Sequence, residues 1–344
     1  METITKYFKT SKYYYTLLNK KQKGIYEALE YGIGQYATQI EVPLISAGDL
    51  SLIFFDALLR DCPLFYYVEA FTNIDFANKN ITLVAPIYKH PKTFIDSKTN
   101  VILRCMQRLD HVKSATDMDK VKFVHEFCMN NFEYDYTAYE NIIQSISLKD
   151  TPEDYAYSIL GPILRKKGVC AGLSKFFKLS LDYLNIKSLV VIGEAKSPRN
   201  DGTMDSHAWN IVKISGKTYQ FDVTWNICHK GHIYFNLSDD EMKKDHVMPS
   251  NVPACTTVGD DYFAMNSLVA GKPTELDVII ERNLREGRKK FMVKIQNVKK
   301  PQKLTKKVLD TAHNCYEKVF GQRTTVWYSH HVDTSVFFIS FGDV

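Results

Sequence analysis

Near both ends of this 344-residue chain the apolar pattern passes through the same order of segments, and that order restricts the fold more than any single motif. Residues 21–115 read as a helix around GIYEALEYGI, a strand TQIEVPL, a helix LSLIFFDALLRD, and two strands, LFYYVEAF and ITLVAPIY. The C-terminal stretch reads ELDVIIERNLREG, KFMVKIQNV, LTKKVLDTAHNCYEKVFG, TTVWYSH and SVFFISF, again α-β-α-β-β. From Gln39 to Tyr88 and from Lys290 to Phe341 the spacings also match, with few identities, which reads as two copies of one unit. Between them lies a helical stretch with a break near Ser114 to Asp117, then a region that can hold chemistry. The expected organisation is α+β: an accessory unit over 1–115, a core over 116–260 and a second accessory unit over 261–344.

A chain of this length exceeds the usual single domain, and each part can bury a core of its own. Hydrophobic residues at 45% and charged residues at 24%, without low-complexity runs, predict folding throughout. The start has no apolar run of the length a secretory leader needs, and no run of about 18 apolar residues occurs. The chain as given is expected to be cytoplasmic and without a membrane span, or exported if a leader was removed. Seven cysteines without a CxxC pair argue against a disulfide scaffold and against a zinc ribbon. Cys228, His229 and His232 in NICHKGHIYF fit no four-ligand pattern and read as a turn between strands, so no metal and no cofactor are expected. The net charge of +5 concentrates between Glu281 and Lys307 with few aromatics interleaved, which reads as a solvated face; no nucleic-acid partner is expected, and an acidic partner protein fits the run as well as nucleic acid does.

The chemistry-bearing stretch is GVCAGLSKFF. After Cys170 the apolar positions Leu173, Phe176 or Phe177, Leu181 and Leu184 recur at helical spacing, so the cysteine stands at a helix N-terminus. Free N–H groups and the positive end of the helix dipole favour thiolate there. Gly168 and Gly172 allow close backbone approach around that turn. Cys62, Cys105, Cys128 and Cys315 read as buried, inert thiols.

Further on, HAWNIVKI and KTYQFDVTWN flank Ser215 and Gly216, which suit a two-residue hairpin turn. That register sets Ile214 against Lys217 and His207 opposite Thr224, with Asp222 the diagonal neighbour of His207 on the same face. Strict alternation sends Tyr219, Phe221, Val223 and Trp225 to the opposite face. An Asp beside a His fixes the imidazole tautomer and stabilises its charged form. Trp209, two positions from His207 on its face, implies that this face is covered.

Sequence spacing alone does not bring Cys170 to His207. Taken in order, GPILRKKGVCAGLSKFFKLSLDYLNI, SHAWNIVKISGKTYQFDVTWN and YFNLSDDEMKKDH resemble the transglutaminase-like superfamily over about residues 115–250, and bacterial members most. The resemblance implies a papain-like core, with a cysteine-bearing helix packed on an antiparallel sheet. It implies a catalytic trio of Cys170 as nucleophile, His207 as base and Asp222 as orienting acid, and a thiol acyltransferase or amidohydrolase acting through a thioester on a protein or peptide. Transfer to an amine, deamidation, proteolysis and a non-catalytic binding module are the alternatives it leaves. Where many relatives carry a tyrosine this chain has Leu160. Besides the Cys170 N–H, the second oxyanion donor is therefore open between Ser158 and Tyr157. The closing YFNLSDDEMKKDH carries no expected catalytic role, and the oligomeric state is not indicated.

Overall fold

A computed structural model describes residues 7–78, 80–144, 152–197, 202–296 and 301–342. Part of the polar loop before His207 (198–201) and part of the C-terminal basic run (297–300) lie outside the described residues.

The N-terminal unit begins with α1 (Lys20–Gly34), opened by a capping box in which Asn19 and Gln22 exchange side-chain and backbone hydrogen bonds. It continues through β1 (Ile40–Pro43), a helical stretch with a π-helical middle at Leu52–Leu58, β2 (Val68–Asn78) and β3 (Ile81–Tyr88). LFYYVEAF becomes strand only from Val68, because Pro63–Phe65 forms a 3-10 turn first. Two helices, α2 (Lys92–Gln107) and α3 (Asp117–Asn131), lead into the centre, and Thr116 caps α3 by accepting from the Asp119 N–H, which places the helix break where the sequence suggests it.

The central region contains two short strands, β4 (Glu133–Tyr134) and β5 (Lys167–Gly168), which pair in parallel. They are followed in the chain by α4 (Cys170–Tyr183), β6 (Ser188–Lys196), β7 (Met204–Ile214), β8 (Lys217–Phe221), α5 (Val223–His229) and β9 (His246–Val247). The sheet order is β8-β7-β6-β9, antiparallel throughout. Ile214 pairs with Lys217 across the Ser215-Gly216 turn, as the hairpin chemistry requires, and both turn residues have positive φ.

Both faces of this sheet are buried. Val212 and Ile214 join one apolar cluster with Leu173, Phe176 and Phe177 of α4. Trp209 and Ile211 join another that takes residues from both ends of the chain. Alternation along β7 thus divides one strand between two cores. Ser174 Oγ donates to the Ala208 carbonyl at 2.8 Å, and Asn210 Nδ2 donates to the Ser174 and Leu189 carbonyls, fastening α4 to the sheet.

The C-terminal unit has β10 (Val269–Ala270), α6 (Pro273–Arg285), β11 (Lys290–Ile295), α7 (Pro301–Phe320), β12 (Val326–His331) and β13 (Val336–Phe341). Its sheet runs β10-β11-β13-β12, and the N-terminal sheet runs β1-β3-β2. In both units the first strand of the α-β-α-β-β string pairs antiparallel with the third, and the third with the second. The C-terminal sheet adds β10, parallel to β11.

Candidate active site

Cys170 is the first residue of α4, and the residue before it, Val169, offers no side-chain cap. No side chain therefore caps the first-turn N–H groups, an arrangement suited to an anion. The turn sits against the Tyr155–Ser158 segment so closely that a Cβ on Gly172 would collide with the Ala156 carbonyl oxygen. Glycine is required there by space alone.

His207 enters from β7 and Asp222 from the residue after β8. His207 Nε2 lies 2.7 Å from Asp222 Oδ2, and both side chains are buried. Cys170 stands close enough to the His207 side chain and the Ala208 N–H for both to act on its thiol, so the structure brings the three sequence-identified residues together. Since Nε2 is committed to Asp222, Nδ1 is the ring nitrogen left for sulfur.

Burial alone would raise the Cys170 thiol, but the hydrogen bond and charge of His207 outweigh it, and the thiol falls below its ordinary value. For His207, burial opposes protonation, yet the charge and hydrogen bond of Asp222, with help from Cys170, push it up to about 10. Asp222, despite burial, is held well below the usual carboxylate range by His207 and His246. The three shifts run the same way, each favouring the charged form of its group.

Asp222 does not continue the strand. β8 ends at Phe221, Asp222 is the N-cap of α5, and its Oδ1 accepts from the Trp225 N–H at 3.0 Å. The opposite-face assignment of Trp225 is thereby corrected. One helical turn carries its ring back over the site, 5.6 Å from that of His207. Thr224 correspondingly lies in α5, and not opposite His207 in a strand.

The same helix corrects the reading of Cys228, His229 and His232 as a turn between strands. Cys228 and His229 belong to α5, and His232 instead meets Glu126 at 2.5 Å. Among the described residues two groups bring ligand-type atoms within 4.8 Å of one another: His125, Glu126 and His232, and His207, Asp222 and His246. In the first, Asn226 Oδ1 accepts from the Tyr234 N–H, so its Nδ2 must donate to His125 Nε2. The neutral, buried His125 then carries its proton on Nδ1, which leaves no lone pair there for a metal.

The two oxyanion candidates are engaged elsewhere. Ser158 Oγ donates to the Tyr155 carbonyl and accepts from the Leu160 N–H, while the Tyr157 hydroxyl donates to the Ala138 carbonyl. Tyr134, on β4 opposite Gly168, stands close enough to Cys170 for a thiolate to hold its phenol protonated, an effect second to burial. It carried no sequence signal. A cavity of about 210 Å³ lies between the N-terminal unit and α4, lined by Cys62, Tyr66, Lys89, Asp154, Tyr155 and Lys175, and does not include Cys170.

His246, from the segment given no role, is the residue that sequence reasoning missed. Its Nε2 lies 3.2 Å from Asp222 Oδ2 and its Nδ1 2.6 Å from Asp245 Oδ1. It is enclosed by Trp209, Trp225 and Tyr234, with ring centroids at 5.2, 4.5 and 5.5 Å. Among the described residues no helix is long and apolar enough to cross a membrane.

Residues 105–248 match the sequence family described as "Transglutaminase-like domain". A solved structure described as a TGase is similar at 16% identity and a TM-score of 0.32, over 54% of this chain and 50% of that one. A candidate cysteine protease from Cytophaga hutchinsonii is similar at 15% identity and a TM-score of 0.26, over 42% of this chain and 51% of that one. This chain therefore spans about half the length of each. No curated protein matches.

Proposed function

We propose, from the premise that residues 105–248 are a transglutaminase-like domain, that the protein is a cysteine-dependent enzyme that transfers the acyl group of a protein or peptide carboxamide. The observation that carries this reading is the chain of contacts from a thiol at a helix N-terminus to His207 and on to a buried, ionised Asp222.

In the proposed cycle the Cys170 thiolate attacks the carbonyl carbon, and the Cys170 N–H at the open end of α4 donates to the oxyanion. The tetrahedral species collapses as the C–N bond breaks, and the departing nitrogen takes the proton of the His207 imidazolium. Ammonia or an amine leaves and a thioester remains on sulfur. An incoming primary amine, or water, then gives its proton to neutral His207 as it attacks the thioester, and the C–S bond breaks to restore the thiolate. Asp222 keeps His207 oriented through both halves and stabilises its charged form.

Two readings compete for the second half. Aromatic surface supports an amine acceptor: the half-buried Trp225 beside His207, and Tyr134 and Tyr136 with ring centroids 4.9 Å apart, suit the methylene stem of a primary amine. An amine can outcompete water only if it is bound and oriented. The alternative is hydrolysis at the same trio, as a deamidase or peptidase.

The deciding experiment supplies a glutamine-containing protein and a fluorescent primary amine. Cys170-dependent incorporation supports the transferase. Ammonia release without incorporation means deamidase, and new chain termini mean peptidase. Silence across many substrates, together with an unreactive Cys170, would leave a binding module.

A further inference from the structure

Behind Asp222 the hydrogen bonds do not stop. His246 bridges Asp222 and Asp245, and the second oxygen of Asp245 accepts from the Tyr234 hydroxyl at 2.7 Å. Tyr234 lies 3.1 Å from His331 Nε2, and His331 Nδ1 lies 2.9 Å from Thr334 Oγ1. His331 ends β12, so the line that starts at Cys170 finishes in the C-terminal unit.

Donor and acceptor roles along this line can be assigned from one end to the other. Burial lowers His331 to about 4, so it is neutral and has a single ring proton. Tyr234 has one proton, and it goes to the Asp245 carboxylate. Its oxygen must then accept from His331 Nε2–H, which leaves His331 Nδ1 to accept from Thr334. At the other end, His246 faces a carboxylate on each side and satisfies both only by donating from both nitrogens. Every contact has one proton and no two donors oppose each other, which is what a fully connected buried network requires.

We propose that His246, held by Asp245 and Tyr234, is a positioning residue that orients the Asp222 carboxylate toward His207, and that His331 anchors this line in the C-terminal unit. The inference rests on the Cys170, His207 and Asp222 reading. Asp222 Oδ2 receives His207 and His246 together, while Oδ1 is fixed by the Trp225 N–H. With three donors the carboxylate cannot rotate away from His207 without giving up two other hydrogen bonds. His246 touches no reacting atom and acts only through Asp222.

The test uses the full chain and follows alkylation of Cys170 by iodoacetamide, site by site, from pH 5 to 9. His246→Gln offers one donor and one acceptor. If its amide donates to Asp222, its carbonyl confronts the Asp245 carboxylate, and Cys170 labelling near pH 6.5 should slow about tenfold, in line with an unsatisfied buried polar group. Adding Asp245→Asn supplies the missing donor while still accepting from Tyr234, so the double variant should recover to within about threefold of the starting protein. A purely structural role for His246 gives no such recovery. Should His246→Gln fail to fold, Tyr234→Phe deletes a single hydroxyl and should slow labelling about twofold or more. Unchanged labelling in folded His246→Gln or Tyr234→Phe, or a folded double variant no faster than the single, overturns the inference while slow labelling in His207→Ala keeps the trio intact. Undiminished labelling in His207→Ala overturns the trio and the inference with it.

Discussion

Gly193 stands directly across the β6–β7 ladder from His207, and a Cβ at that position would come within 2.6 Å of the Trp209 ring and collide with the Val247 carbonyl oxygen. The absent side chain lets Trp209 and the β9 segment carrying His246 close over the back of the site. Gly193→Ala should therefore cost about 1–3 kcal/mol of stability through overpacking. It should also lower Cys170 reactivity, since Trp209 and His246 are the parts that must move. Urea unfolding together with iodoacetamide labelling checks both effects.

Cys170 should be alkylated well before the other six cysteines near pH 6.5, because its thiol is lowered while burial raises Cys62, Cys105, Cys128, Cys255 and Cys315, and the thiol of Cys228 is raised too although that residue is exposed. In His207→Ala the apparent pKa of Cys170 should rise and labelling at pH 6.5 should fall about tenfold or more. Quantitative mass spectrometry of all seven sites decides it.

The stability contributed by the His207 and Asp222 pair has a defined pH window. His207 is raised to about 10, so its contribution is fully present below its unfolded value of about 6.5 and is lost as pH rises through 10. Asp222 is depressed, so its contribution is present above its unfolded value of about 3.9 and is lost as pH falls below it. Thermal midpoints should be highest between about pH 4 and 6.5 relative to His207→Ala, and the difference should shrink on either side.

Asp222→Ala should be among the most damaging single changes. It leaves a buried imidazolium without its counter-charge and removes the cap of α5, a cost of about 3–5 kcal/mol. Asp222→Asn keeps the cap and should recover part of the stability while leaving Cys170 slow to label. Equal behaviour of the two variants in denaturant would contradict the division of labour between cap and charge.

Gly172→Ala runs against ordinary helix propensity, which favours alanine by about 1 kcal/mol. Here the added methyl meets the Ala156 carbonyl, a backbone atom that cannot rotate aside, so the change should destabilise and displace the Cys170 turn. A gain in the melting temperature would show that the Ala156 segment yields.

Much of this site was legible before the fold was known. A cysteine ahead of a helical period and a two-residue turn fixing a strand register are local signals, and they bring Cys170, His207 and Asp222 forward. The change at Phe221 was hidden because Tyr219, Phe221, Val223 and Trp225 alternate as if the strand continued, while the chain passes from a period of 2 to one of 3.6. Asp222 as an N-cap was the available clue. His246 had none: it lies in a polar run, and only the pairing of Glu194 and Ala195 with β9 carries it to Asp222. The hydroxyls of Ser158 and Tyr157, between which the second oxyanion donor was left open, both serve nearby carbonyls, a competition invisible in spacing.

The division of β7 between two apolar clusters has a bearing on synthesis. A ribosome completes Cys170, His207 and Asp222 long before it reaches His331, which lies 97 residues beyond Tyr234. At about 5–20 residues per second that interval lasts several seconds, during which one face of the β6–β7 pair, Trp209 included, lacks the C-terminal part of its cover. The emerging chain should thus carry an assembled cysteine helix with an unsettled histidine side, and a reactive thiolate should arise only once the final strands arrive. Stalled nascent chains ending near residue 290 should accordingly leave Cys170 as slow toward iodoacetamide as an ordinary thiol.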